Sequence, residues 1–212
     1  MRIIDLASWP HRAAFEIYRH FDYPHFNLTA NIEVDEFTAA VKARSASFTI
    51  AVVYTLARAA NELQPFRLRI HGEQVVEHER VDPSFTVLLE DERFSFCTVE
   101  YRSDFQSFSA EATEHIEQVR RRPTLEDEAG QDNLLFMTSI PWISFTSMQH
   151  PIHMHPVDSV PRLGWGRIFK DHGQLRMPLS VQVNHALMDG LHVGRYYELV
   201  TALMANPDQL FG

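Results

Sequence analysis

Met177 to Arg195 reads MPLSVQVNHALMDGLHVGR. Its first half, LSVQV, alternates apolar and polar residues, which is the period of a strand with one face buried. From about Gly190 to Met204 the apolar residues recur at helical spacing. His185 and Asp189 therefore stand at a strand-to-helix junction, where a side chain is exposed on a rigid base. Gly190 permits a tight entry into the helix. Histidine suits the removal of a hydroxyl proton near neutral pH, because its ordinary pKa lies close to that pH. Asp189, four residues on, either holds the local backbone or orients a cationic partner.

Leading into this segment, Leu163 to Lys170 and Leu175 to Val183 read as a hairpin that turns at Asp171-His172-Gly173. Leu134 to Ser139 and Ile143 to Met148 read as strands split by Pro141-Trp142. Phe66 to Ile70 and Gln74 to His78 flank a turn at His71-Gly72-Glu73, and Phe85 to Leu89 and Arg93 to Glu100 follow as a pair. Helices are expected at Ala13–Phe21, Val34–Ala43, Phe48–Leu63 and Asp104–Arg121, and Phe26–Ile32 alternates as a strand. There is no regular βαβ alternation, so the expected fold is α+β, a mixed β-sheet with helices packed on one face. No linker or repeat divides residues 1–212, which points to one domain.

Composition bounds the function. Of 212 residues, 45% are hydrophobic and 22% charged, as in globular proteins, and the net charge of -9 argues against nucleic acid or an anionic membrane. The single cysteine, Cys97, excludes an intrachain disulfide, and in a strand it reads as a small buried residue. The start, MRIIDLASWPHR, lacks the pattern of a signal peptide, and no apolar stretch is long enough to span a bilayer, so a cytoplasmic location is expected. His150, His153 and His155 have no acidic or cysteine ligand alongside, so no metal is expected. Trp9, Trp142 and Trp165 read as core or interface residues.

The 177–195 segment resembles the active-site signature of the chloramphenicol acetyltransferases. The resemblance continues in WPHRAAFEIYRH (9–20), VDPSFTV (81–87), FSFCTVEY (94–101) and FMTSIPWISFTSM (136–148), in the family's order and nearly its spacing. It implies an acetyl-CoA-dependent O-acetyltransferase acting as a homotrimer, with its sites between subunits and no acetyl-enzyme or metal. By that resemblance His185 is the general base, Asp189 is structural support, and Thr138 takes the place of the serine that donates to the oxyanion. His192 matches a family histidine and is expected to pack or cap.

Departures from the family pattern leave several roles open. Asn184 replaces the first histidine of the family's pair. The arginine that partners the aspartate aligns with His11, next to Arg12. Either Arg12 reaches Asp189, or a protonated His11 does, or the ion pair is lost. Tyr18, Phe26 and Phe94 match the aromatic acceptor pocket, while other pocket positions hold Ile17, Asp22 and Pro24. On the cofactor side, Arg167 aligns with a lysine, Phe169 is placed near the adenine, and Gly164 falls where the family has a solvent-organising threonine. The acceptor implied is chloramphenicol. The alternatives are another hydroxylated small molecule, or a non-catalytic small-molecule-binding trimer. A dihydrolipoyl acyltransferase core is a related reading, but the Asp-His-Arg usual ahead of its motif and its lipoyl domains are missing from this sequence.

Overall fold

The computed structural model describes residues 1–125 and 130–212. Their elements run β1 (Arg2–Ile3), α1 (Arg12–Tyr18), β2 (His25–Glu33), α2 (Asp35–Ala43), α3 (Phe48–Glu62), a 3-10 turn (Gln64–Arg67), β3 (Leu68–His71) and β4 (Gln74–Glu77). They continue as β5 (Asp82–Leu88), β6 (Phe94–Thr98), α4 (Phe105–Arg121), β7 (Leu134–Ile140), β8 (Arg162–Gly166), β9 (Phe169–Asp171), β10 (Gln174–Asn184), α5 (Gly190–Ala205) and α6 (Pro207–Phe211).

Seven strands form the main sheet in the order β2-β10-β8-β7-β5-β6, with β9 on β10. β7 runs parallel to both its neighbours and the other pairings are antiparallel, so the sheet is mixed as expected. A second sheet of three strands has the order β1-β4-β3.

The alternation in β10 decides which face the helices cover. Met177, Leu179, Val181 and Val183 join one apolar cluster with Phe37 and Val41 of α2, most of α3, Phe108 of α4 and Val193 and Val200 of α5. Full burial of an aliphatic side chain of this size contributes roughly 1.5–3 kcal/mol. α3 is apolar on nearly every side, as a helix buried between a sheet and other helices must be. Ser47 caps it by accepting from the Ile50 N–H. On the opposite face of β10, Ser180 and Gln182 are buried and polar, and both are hydrogen-bonded. Asn27 Nδ2 donates to Ser180 Oγ at 2.6 Å, Ser180 Oγ donates to the Met148 carbonyl at 3.2 Å, and Gln182 Oε1 accepts from His150 N at 2.8 Å.

Three expected strands differ, one of them Leu163–Lys170, which breaks after Gly166 into β8 and β9. Ile143–Met148 is irregular, because both edges of β8 are already taken by β7 and β10 and Pro141 offers no N–H to a ladder. The segment instead runs across the polar face of the sheet, where the Ile143 carbonyl accepts from Arg167 N at 2.8 Å. Phe66 lies in the 3-10 turn, which Pro65 opens, and β3 starts only at Leu68. The turn at His172-Gly173 has positive φ at both residues, as a tight two-residue hairpin requires.

Candidate active site

The turn after β10 is held by its own side chains. The Asn184 carbonyl accepts from Leu187 N at 3.0 Å and Met188 N at 3.3 Å, and Asn184 Oδ1 accepts from Ala186 N at 2.9 Å. Asp189 then caps α5. Its Oδ1 accepts from Leu191 N at 3.0 Å and His192 N at 3.3 Å, while His192 Nδ1 accepts from Asp189 N at 3.1 Å. Together they form a reciprocal capping box, so of the two roles expected for His192, packing or capping, it caps.

His185 sits at the top of this turn, partly buried. Its backbone N–H donates to the Pro24 carbonyl at 2.7 Å, tying it to the end of β2. Tyr18 of α1 stacks on its imidazole with centroids 4.0 Å apart and planes 7° from parallel, and Phe26 closes another side at 4.8 Å. Nδ1 is shut away from solvent with no hydrogen-bond partner among the described residues, which leaves Nε2 as the nitrogen able to meet a ligand. Behind the turn, Ala186 and Leu187 pack on Phe15 of α1 and on Leu68 and Val75 of the small sheet.

Of the candidates beside Asp189, Arg12 points away and pairs with Glu16 at 2.6 Å on the exposed side of α1. His11 is the nearer group. Its ring lies edge-on to His192 at 5.4 Å, and His11, Asp189 and His192 bring their ligand atoms within 4.8 Å of one another. Burial holds the His11 pKa below its ordinary value, outweighing the pull of the His185 backbone and the Asp189 charge the other way. Burial thus favours the uncharged form of this histidine beside Asp189. The Asp189 pKa is lowered nonetheless. Burial raises it, and the His192 and Leu191 N–H groups with nearby imidazole charge more than compensate.

Thr138 belongs to a different part of the molecule. It lies on the polar face of the sheet and lines a cavity of about 1150 Å³ with Phe94, Phe96, Phe136, Met148 and His150. Arg162 is ion-paired with Asp158 at this cavity and places its guanidinium over Phe136, 5.1 Å from the ring centre. Gly164 adjoins Thr138 in register, but a Cβ there would come within 2.6 Å of the Met148 sulfur, so Met148 fills the space of any side chain. His150 is desolvated in this wall, and its pKa falls to about 4. Arg167 is exposed beyond β8 and Phe169 is half-buried in β9. Ile17 and Asp22 are exposed, while Pro24 is buried and acts through its carbonyl. Cys97 is buried in the helix-side core with its thiol pushed up to about 12, and Trp165 is a core residue. Trp142 is exposed. Asn184 and Met148 have roles that residue type alone did not announce. The only signal for Asn184 was its adjacency to His185.

The family model for chloramphenicol acetyltransferase matches residues 1–201. The chain belongs to the chloramphenicol acetyltransferase family. It is an acyltransferase. Chloramphenicol acetyltransferase 3 of Escherichia coli is 29% identical over 194 residues, covering 91% of each chain. The enzyme of Clostridium butyricum is 27% identical over 197 residues, covering 92% of this chain and 90% of its own. A solved chloramphenicol acetyltransferase superposes with a TM-score of 0.85 at 25% identity, over 96% of this chain and 99% of that one. The dihydrolipoamide acetyltransferase of Azotobacter vinelandii shares the fold, with a TM-score of 0.69 at 20% identity over 93% of this chain and 88% of that one. Among the described residues, no helix is long and apolar enough to cross a membrane.

Proposed function

We propose that this chain transfers acetyl from acetyl-CoA to a hydroxyl of chloramphenicol, with His185 as general base. The observation that carries the reading is the clamped imidazole, fixed by Tyr18, Phe26 and the Pro24 carbonyl with only Nε2 left for a ligand. Nε2 takes the acceptor hydroxyl proton as that oxygen attacks the thioester carbonyl. The tetrahedral oxyanion accepts a hydrogen bond from the Thr138 hydroxyl. On collapse the C–S bond breaks, and the imidazolium returns the proton to the leaving thiolate, giving free CoA and the acetyl ester.

The sheet register supports a site shared by two copies. Thr138 is level with Gly164 and Ser180, two strands from β10, and His185 lies five residues beyond Ser180. At about 3.3 Å per residue and about 4.8 Å per strand, the two residues stand roughly 19 Å apart. One thioester cannot touch both within a single chain. In the proposed homotrimer, His185 with Tyr18 and Phe26 faces the cavity of the neighbouring subunit, which carries Thr138 and Phe94. Arg167, Phe169 and the Gly164 strand border the coenzyme's approach in this arrangement. The location proposed is the cytoplasm, where acetyl-CoA is supplied.

Complementation tests the shared site. His185→Ala and Thr138→Ala subunits are each poorly active alone, and co-assembled they regain activity, because some interfaces pair an intact histidine with an intact threonine. No recovery in verified mixed trimers would overturn the arrangement. The acceptor is tested by thiol release from acetyl-CoA with chloramphenicol, lipoamide and sugars in parallel. Asp22 favours a second reading, another hydroxylated acceptor, because it sets an exposed carboxylate close in sequence to Tyr18. Turnover of a sugar without turnover of chloramphenicol would select that reading. Binding with no turnover of any acceptor would select a non-catalytic trimer.

A further inference from the structure

A second group of metal-ligating side chains lies on the small sheet. His71 ends β3, His78 follows β4, and Asp132 precedes β7. His71 Nε2 stands 2.6 Å from Asp132 Oδ2, and His78 Nε2 stands 2.9 Å from Asp132 Oδ1. The two rings flank the carboxylate with centroids 6.5 Å apart and planes at 69°. All three ligand atoms lie within 4.8 Å of one another.

The backbone under each ligand is fixed. His71 faces Gln74 across the hairpin, and His78 N donates to the Arg67 carbonyl at 3.0 Å. The fully buried Arg69 donates to the Asp132 carbonyl at 2.7 Å and to the Leu134 carbonyl at 2.6 Å, which sets Asp132 against the main sheet. Burial alone would push the Asp132 carboxyl up, but the hydrogen bonds from His78 and His71 bring it to about 2, so it stays ionised.

We propose that His71, His78 and Asp132 bind one divalent transition-metal ion, with zinc the cation their two imidazoles and one carboxylate suit best. Zinc takes such ligands at about 2.0–2.2 Å, which sets neighbouring ligand atoms on a tetrahedral ion roughly 3.3 Å apart. The present contacts are therefore short of that spacing by less than an ångström, within reach of small ring rotations. On binding, each imidazole turns its Nε2 lone pair on the ion and carries its remaining ring proton on Nδ1. Three protein ligands leave the fourth position to water, and the half-exposed His71 ring opens that position to solvent.

The site joins the hairpin of the small sheet to the segment leading into β7. Leu68, Ile70 and Val75 of that hairpin pack with Ala186 and Leu187, immediately after His185. Bound metal thus fastens the layer that backs the His185 turn.

The test uses the full chain after dialysis against a chelator, titrated with cobalt(II) and followed by visible absorption, then displaced with zinc. The expected result is one equivalent per chain, with affinity at least about tenfold weaker in His71→Ala and in Asp132→Asn. Zinc raises the Tm of the unaltered chain and leaves that of the His71→Ala/His78→Ala variant unmoved, circular dichroism confirming that the variant is folded. His11→Ala keeps the cobalt spectrum. Absence of cobalt binding would show that the three residues are only a hydrogen-bonded cluster. Persistence of the spectrum in the double histidine variant, or its loss in His11→Ala, would place the ion elsewhere and overturn the proposal equally.

Discussion

Asp189 separates two accounts of how the His185 turn is supported, a helix cap and an ion pair. In the structure its carboxylate accepts the N–H groups of Leu191 and His192 at the start of α5, and Arg12 is turned away toward Glu16. Replacing Asp189 by alanine removes the cap, which costs about 0.5–2 kcal/mol. It also removes a negative charge at a helix N-terminus, worth about 0.3–1 kcal/mol. The contact to His192 at 2.9 Å is partly exposed and contributes little beyond the cap. The expected loss is about 1–2 kcal/mol, or roughly 3–6 °C in Tm for a chain of this size. Asparagine caps as well as aspartate, so Asp189→Asn should lose less than about 1 kcal/mol. Urea unfolding at one fixed protein concentration measures both variants. The lowered pKa gives a second signature. This carboxylate's contribution is present above its unfolded pKa of about 3.9 and disappears as pH falls through the folded value. Asp189→Asn should lack that acid dependence. If Asp189→Asn loses as much stability as Asp189→Ala, the charge and not the cap supports the turn.

Buried positions away from Asp189 give further tests. His150 is desolvated with its pKa at about 4, so the unfolded chain binds its proton first and folding stability falls as pH drops from about 6.5 toward 4, by on the order of 3 kcal/mol. His150→Phe should flatten that part of the pH–stability curve, with His11 and His25, also lowered by burial, contributing what remains. Gly164→Thr drives a Cβ toward the Met148 sulfur at 2.6 Å and should cost about 1–3 kcal/mol in urea unfolding. Pairing it with Met148→Ala should recover part of that loss, and failure to do so would locate the strain elsewhere.

Much of the fold was legible because it depends on local periodicity. The alternation of LSVQV marks the helix-facing side of β10, and the apolar run from Phe48 predicts a buried α3. Ile143–Met148 misled because it carries a strand's composition, while the edges of β8 that it would need are taken by strands distant in sequence. The candidate site was legible in its residue types and less so in its connections. His185 stands out at a strand-to-helix junction, but its stacking on Tyr18 depends on where α1 docks. Neither His11 nor Arg12 could be preferred from adjacent letters, since α1 turns one toward Asp189 and the other to solvent. The His71–Asp132–His78 cluster was invisible in sequence because its members are 61 and 54 residues apart.

In the proposed reaction the His185 imidazole moves the acceptor proton. The most direct test of that role is kcat/KM for thiol release from acetyl-CoA with chloramphenicol, measured for the unaltered chain and for His185→Ala at matched assembly state. The expected result is a fall of about 10²–10⁴-fold or more, carried by kcat, with urea stability nearly unchanged. A variant that keeps kcat within a few fold while remaining folded and assembled would contradict it.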